Sequence, residues 1–207
     1  MKRIFNNYLN TIILAILFGA LGGGVVSSNF FVEETKNHQD LIKEFYEVEN
    51  AVHVSPHYIR KHMGQGNNDF LLVDLRSQKE YETSHIVGAL NVPAYVSPDK
   101  SAYEDIDRIV NEFRKIQEEY TNKTIIVYCY SAPCMSGRKI GKMLTEYDIY
   151  VKHLGIGWQE WRYYWNLWNH DGETSVNPAD YIISGLEPGE FSELDISGCV
   201  LGGDFGC

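Results

Sequence analysis

The stretch from Thr124 to His153, TIIVYCYSAPCMSGRKIGKMLTEYDIYVKH, carries the reading of the fold. It opens with an unbroken apolar run, TIIVY, the form a parallel strand takes when both of its faces are covered. From Ser136 onward Ile140, Met143 and Leu144 recur at helical spacing. Ile149 to His153 then returns to an extended pattern. Strand, helix and strand at this spacing form the unit of a parallel sheet, because parallel strands need a crossover and a helix supplies it.

The alternation continues on both sides. Upstream, an extended VHV at 52–54 is followed by Ser55-Pro56, which opens a short helix, and by Phe70 to Val73 as a buried strand. Helices are predicted at Ser77 to Glu82 and at Glu104 to Gln117, where Ile106, Ile109, Val110, Phe113 and Ile116 share a face. Downstream, a Trp-rich helix from Gly157 to about Trp168 closes the series. The expectation is an α/β domain over residues 52–170, a parallel sheet of about five strands with helices on both faces.

Residues 33–51 place Leu41, Ile42, Phe45 and Val48 on one helical face, an amphipathic spacer or lid. After Gly172 the composition shifts to Gly, Glu, Asp, Ser and Pro. Residues 171–207 therefore read as an acidic, Gly-rich tail packed loosely on the body, with Tyr181-Ile182-Ile183 as one of few apolar pieces.

At the amino end, Lys2 and Arg3 precede an uncharged run from Ile4 to Val32. This pattern reads as a targeting segment over residues 1–32, an N-terminal apolar helix that places the body outside the cytoplasm. Its strongly apolar part is about 16 residues, between a signal-peptide core and the ~20 of a comfortable span, so both a cleaved signal and a membrane anchor stay open.

The chain of 207 residues, 44% hydrophobic and 22% charged, suits one folded domain with appendages. Its formal net charge of -10 argues against a nucleic-acid partner, which calls for clustered Lys and Arg. The seven histidines and four cysteines show no zinc-like spacing.

Cys129 stands directly after the strand TIIVY and ahead of the helix at Ser136. A thiol in such a loop faces free backbone N–H groups and the positive end of a helix dipole, which stabilise a thiolate or persulfide. A buried structural cysteine is the other reading. Asp74 and Arg76 end a buried strand, where a charge pair fixes the loop or supports the site. His85 reads as a hydrogen-bonded core histidine, and Trp158, Trp161, Trp165 and Trp168 as packing.

The segment FLLVDLRSQKEYETSHIVGALNVP, Phe70 to Pro93, closely resembles the rhodanese family's signature, with Asp74, Arg76, Glu80, Tyr81, His85, Ile86, Gly88, Ala89, Asn91 and Pro93 in register. IIVYC at 125–129 looks like that family's active-site strand and nucleophile, and GWQEW at 157–161 like the Gly-then-Trp segment near its carboxyl end. The resemblance covers about residues 52–170. It implies a rhodanese-like fold and sulfane-sulfur transfer from thiosulfate or a persulfide through a Cys129 persulfide to a thiol or other thiophile. The N–H groups of the loop Tyr130, Ser131, Ala132, Pro133, Cys134, Met135 and Ser136 would cradle that persulfide. The implied partners are a small sulfur donor and a thiol acceptor, with no metal or organic cofactor.

The chain departs from the common form of this loop, which carries an Arg or similar residue five positions after the nucleophile. Here Cys134 stands there, so the loop CYSAPCMSGR looks like a variant with a second cysteine at that position and Ser136 after it, and Arg138 lies farther on, on the helix. The departure brings thiosulfate into question as donor and makes Cys134 either a resolving thiol or a space-filler. A non-catalytic binding module at the membrane and a Cys129/Cys134 thiol-disulfide protein are the alternative functions. A phosphatase is disfavoured because Met135, not Arg, follows Cys129 at the Cys-x5-Arg position. Outside the cytoplasm, Cys199 and Cys207 would close a small disulfide loop in the tail.

Overall fold

A computed structural model describes residues 11–19, 36–67, 69–97, 99–169 and 176–190. The chain divides into two units, one through Phe45 and one from Tyr46. In the first, residues 11–19 are helical (α1). The remainder of the expected targeting segment lies outside the described residues, as do Cys199 and Cys207. Among the described residues, no helix is long and apolar enough to cross a membrane. The next helix, α2 (His38–Val52), starts at Asn37, whose side-chain oxygen accepts the N–H groups of Gln39 and Asp40 at 2.8 and 3.0 Å. It forms where the amphipathic pattern places a helix, and none of its residues is buried.

The second unit is built on a five-stranded parallel sheet. Its strands are β1 (His53–Val54), β2 (Phe70–Asp74), β4 (Leu90–Asn91), β5 (Thr124–Tyr128) and β6 (Lys152–Leu154), in the order β1-β6-β5-β2-β4. Both faces are covered, so successive residues of a strand enter different cores. Leu71, Val73 and Val127 pack with Ile109, Val110 and Phe113 of α5 (Ile106–Glu119) and with Ile140, Met143 and Leu144 of α6 (Ser136–Thr145). Phe70, Leu72 and Ile126 pack with Ile59 and Met63 of α3 (Pro56–Gly64) and Trp158 and Trp161 of α7 (Trp158–Tyr163). This two-sided burial is why β2 and β5 read as continuous apolar runs.

The strand order locates the site. After β2 the chain moves to one side, through α4 (Gln78–Thr83) and β3 (His85–Ile86) to β4. After β5 it moves to the other side, through α6 to β6. The order therefore reverses between β2 and β5, and the crevice outside their carboxyl ends is where open parallel sheets place their ligands.

Two elements differ from the sequence expectation. The Trp-rich helix stops at Tyr163 and resumes as a 3-10 turn, Trp165–Leu167. Trp168 stacks on Trp161 with ring centroids 5.4 Å apart, whereas residues seven apart in an unbroken helix are separated by about 10 Å along the axis. The break lets the rings meet. The strand at Ile149 to His153 starts later, at Lys152, because Asp148 turns the chain at φ 58° and leaves Ile149 as a core plug.

The segment 176–190 is tied into the body. Its strand β7 (Ile182–Ile183) pairs antiparallel with β3, Tyr181 is buried, and Gly185 N–H donates to Glu82 O at 2.8 Å. Gly88 N–H donates to Pro188 O at 2.6 Å, and His85, held by Tyr81 O at 2.8 Å, reaches Glu187 O at 3.2 Å.

Candidate active site

Strand β5 ends at Tyr128, and the loop 129–135 lifts away from the sheet before α6 begins at Ser136. Both flanks of the loop's base are fixed by backbone. Cys129 O accepts the N–H of Trp158, and Tyr130 O that of Gln159, each at 2.8 Å. Gly157 is essential to this closeness. A Cβ built there would stand 2.2 Å from Ser131 N and 2.3 Å from Ser131 Cα, so only the residue lacking one lets the two backbones touch.

Cys129 lies at the bottom of the loop, 2% exposed, and Cys134 lies above it, partly exposed. Both are free thiols, and their sulfurs are 2.7 Å apart. Two anions cannot coexist at that distance, so the two thiols titrate as a coupled pair. Burial pushes the Cys129 thiol up to about 12, and the Cys134 sulfur adds to the shift. Burial also acts against a Cys134 thiolate, but the Cys129 thiol and the hydroxyl and N–H of Ser136 outweigh it and hold Cys134 below the ordinary thiol range.

Not every loop N–H expected to cradle sulfur does so. Ala132 N–H points to the Glu160 carboxylate at 3.2 Å, which also takes Gly157 N–H at 3.0 Å, and Cys134 N–H donates to Ser131 O at 2.9 Å. The N–H groups of Tyr130 and Ser136 are the ones that reach the sulfurs. Tyr130 turns its hydroxyl to the Glu80 carboxylate, which also accepts the Ser77 hydroxyl at 2.5 Å. Met135 is exposed beside the helix start.

The charged residues considered as anion support are engaged elsewhere. Arg76, 3% exposed, grips Asp74 through Nε and Nη2 at 3.0 and 2.6 Å, donates to Ser84 O at 2.8 Å and lies over the Trp158 ring at 4.3 Å. Asp74 also accepts the Tyr128 hydroxyl at 2.7 Å. Arg138 donates to Ala132 O and Cys134 O at 3.3 and 3.2 Å, so it clamps the loop's carbonyls. The structure thus brings Cys129, Cys134, Tyr130 and Ser136 together, and it adds Glu80 and Glu160 as the carboxylates that hold the loop. Glu160 stands 28 positions from Ala132, and its place in GWQEW gives no sign of that partner.

The rhodanese-like domain family model matches residues 55–163. The chain belongs to that family. The chain is also 31% identical, over 91 residues, to the HTH-type transcriptional regulator Rv0324 of Mycobacterium tuberculosis, a match spanning 44% of this chain and 34% of that protein's length. Among solved structures it is similar to the BH2092 protein of Bacillus halodurans, at 18% identity and a TM-score of 0.49, covering 72% of this chain and 88% of that one. It is also similar to a Saccharomyces cerevisiae homolog of single-domain rhodanese and the Cdc25 phosphatase catalytic domain (15%, TM-score 0.43, 55% and 81%). A thiosulfate sulfurtransferase from Pseudomonas aeruginosa matches at 19% identity and a TM-score of 0.39, over 54% of this chain and 18% of that one. The signature Phe70 to Pro93 and the Cys129 loop both fall inside the matched residues of the rhodanese-like domain.

Proposed function

We propose that this rhodanese-like domain is a sulfurtransferase that takes a sulfane sulfur as a persulfide on the Cys129/Cys134 pair and passes it to a thiol acceptor. The observation that carries the reading is the placement of the two sulfurs. They meet at the carboxyl end of β5, at the reversal of strand order, beside the amino end of α6.

The chemistry is a double displacement. A site thiolate attacks the outer sulfur of a donor persulfide, forming its own persulfide and releasing the donor as a thiolate. The acceptor thiolate then attacks that outer sulfur and restores the site thiolate. In the loop CYSAPCMSGR, Cys134 stands where the common form has a cation. With Arg76 and Arg138 engaged elsewhere and Glu80 and Glu160 holding the loop, a persulfide of low charge fits as donor better than the thiosulfate dianion.

The 2.7 Å sulfur separation favours a second reading, thiol-disulfide exchange at the same pair. Intact mass after incubation with glutathione persulfide tests the first. Gain of one sulfur atom, discharged by cyanide, is the expected result. Interconversion only between dithiol and disulfide, with no sulfur taken up or released, would replace transfer by the redox reading.

A further inference from the structure

We infer that the Glu160 carboxylate occupies the anion seat of the thiol loop and thereby sets the donor class, shutting out oxyanion donors such as thiosulfate in favour of persulfides. The inference deepens the sulfur-transfer reading and rests on it.

The hydrogen bonds of Glu160 are the first ground. Its carboxylate accepts Gly157 N–H at 3.0 Å, the bond of a helix capping box. Capping needs nothing more, yet both oxygens also accept Ala132 N–H, at 3.2 and 3.3 Å, from a loop 28 positions away. Ala132 lies between Cys129 and Cys134, so the carboxylate stands against the loop as a bound oxyanion would. Among the described residues no Lys, Arg or His forms an ion pair with Glu160, so N–H groups are what hold its charge.

The remaining N–H groups of the loop are the second ground. Pro133 has none to give. Cys134 N–H donates to Ser131 O at 2.9 Å. Ser131 N is covered by the Gly157 backbone, from which a Cβ would stand only 2.2 Å away. Tyr130 N–H is turned to the sulfur of Cys129. With Ala132 N–H on Glu160, no N–H from 130 to 134 is left for an external oxyanion.

The third ground is what each donor requires. In transfer from thiosulfate the site thiolate takes the outer sulfur, the donor S–S bond breaks, and its electron pair leaves on sulfite. Negative charge therefore gathers on the oxyanion as the bond breaks, and it needs donors or a cation beside it. Arg76 is closed on Asp74 and Arg138 on the carbonyls of Ala132 and Cys134, while the carboxylate in the seat repels the charge. A persulfide departs as a thiolate and brings no sulfonate group to be seated.

The test measures kcat/KM of the full chain for thiosulfate and for glutathione persulfide, in wild type, Glu160→Gln and Glu160→Ala, with circular dichroism following the fold. Gln keeps an oxygen acceptor for the two N–H groups and removes the charge, and Ala empties the seat. The expected result is a thiosulfate-to-persulfide ratio that rises about tenfold in Glu160→Gln, the scale of one nearby unit charge, and further in Glu160→Ala. A merely structural cap would move both donors together. A ratio unchanged in both variants, with or without a parallel loss of rate, overturns the role of Glu160 and leaves sulfur transfer standing. No sulfur taken from either donor by any of the three chains overturns transfer itself, and the inference with it. A second measurement needs no variant to fold: iodoacetamide labelling of the wild-type thiols in sulfate, an unreactive oxyanion, against chloride at equal ionic strength. Equal labelling in the two salts supports an occupied seat, and protection by sulfate shows an open one and overturns the inference.

Discussion

Gly157 and Ser131 are in backbone contact across the base of the thiol loop, with room for no Cβ: one built on Gly157 would lie 2.2 Å from Ser131 N. The contact joins the loop after β5 to the start of α7, and with it the depth at which Cys129 is held.

Gly157→Ala is expected to lift this loop. Backbone is the obstacle, so no side-chain rotation relieves the clash, and overpacking of this kind costs about 1–3 kcal/mol. Urea unfolding should show a lower midpoint, and alkylation should reach Cys129 faster than in wild type. An unchanged midpoint with unchanged alkylation would show that the contact does not hold the loop down.

The buried pair Asp74–Arg76 has both partners below 4% exposure and is joined at 2.6 Å. Arg76→Met leaves the Asp74 carboxylate with the Tyr128 hydroxyl but without its cation, a loss worth about 3–5 kcal/mol. The double variant Asp74→Asn with Arg76→Met removes the stranded charge and should recover a large part of that loss. Chemical denaturation of the two variants side by side measures the difference.

His153 sets a pH dependence. It is 4% exposed, its ring lies against Gly137, and neither ring nitrogen has a hydrogen-bond partner among the described residues. Burial is the main cause that lowers its pKa to about 4, with the Arg138 and His53 charges adding to the shift. Above about 6.5 the ring is neutral folded and unfolded, and its contribution is constant. As pH falls from 6.5 toward 4 the unfolded chain takes up a proton that the folded chain refuses. Stability therefore drops through that window, by on the order of 2–3 kcal/mol. His153→Phe should flatten the curve of unfolding free energy against pH there by that amount.

Glu80 is held below the ordinary carboxylate range. Burial works against this, but hydrogen bonds from Ser77 and Tyr130 and the nearby Arg76 charge outweigh it. Its contribution to stability is present above the unfolded carboxylate's pKa and is lost as pH falls through the folded value. Tyr130→Phe removes one donor, so the Glu80 titration followed by NMR should move up toward the ordinary value. The stability change should stay under about 1 kcal/mol, because Tyr130 is at the surface.

The core of the fold was legible because burial on both faces writes itself into β2 and β5 as unbroken apolar runs, and because the α5 and α6 stripes point at them. Cys129 was legible from its place at the end of such a run. Other features had no local signal. A two-residue strand such as Ile182–Ile183 has no period to detect, and its partner β3 lies about a hundred residues away. The break in the Trp-rich helix lets the Trp161 and Trp168 rings stack, a contact that helical spacing alone does not reveal. The direction of Arg138 depends on where the loop leaves the carbonyls of Ala132 and Cys134. Spacing gave its position on the helix and nothing about its aim.

The clasp formed by β7 and the residues after it has a consequence for how the chain is made. Synthesis runs from the amino end, so β3, His85 and Gly88 leave the ribosome about a hundred residues before Ile183, Glu187 and Pro188 can meet them. At roughly 5–20 residues per second that interval is on the order of 5–20 s. Within it the sheet and the thiol loop are completed while β3 waits with an open edge. The segment 176–190, translated after the thiol loop, is therefore the part that seals the second half of the signature.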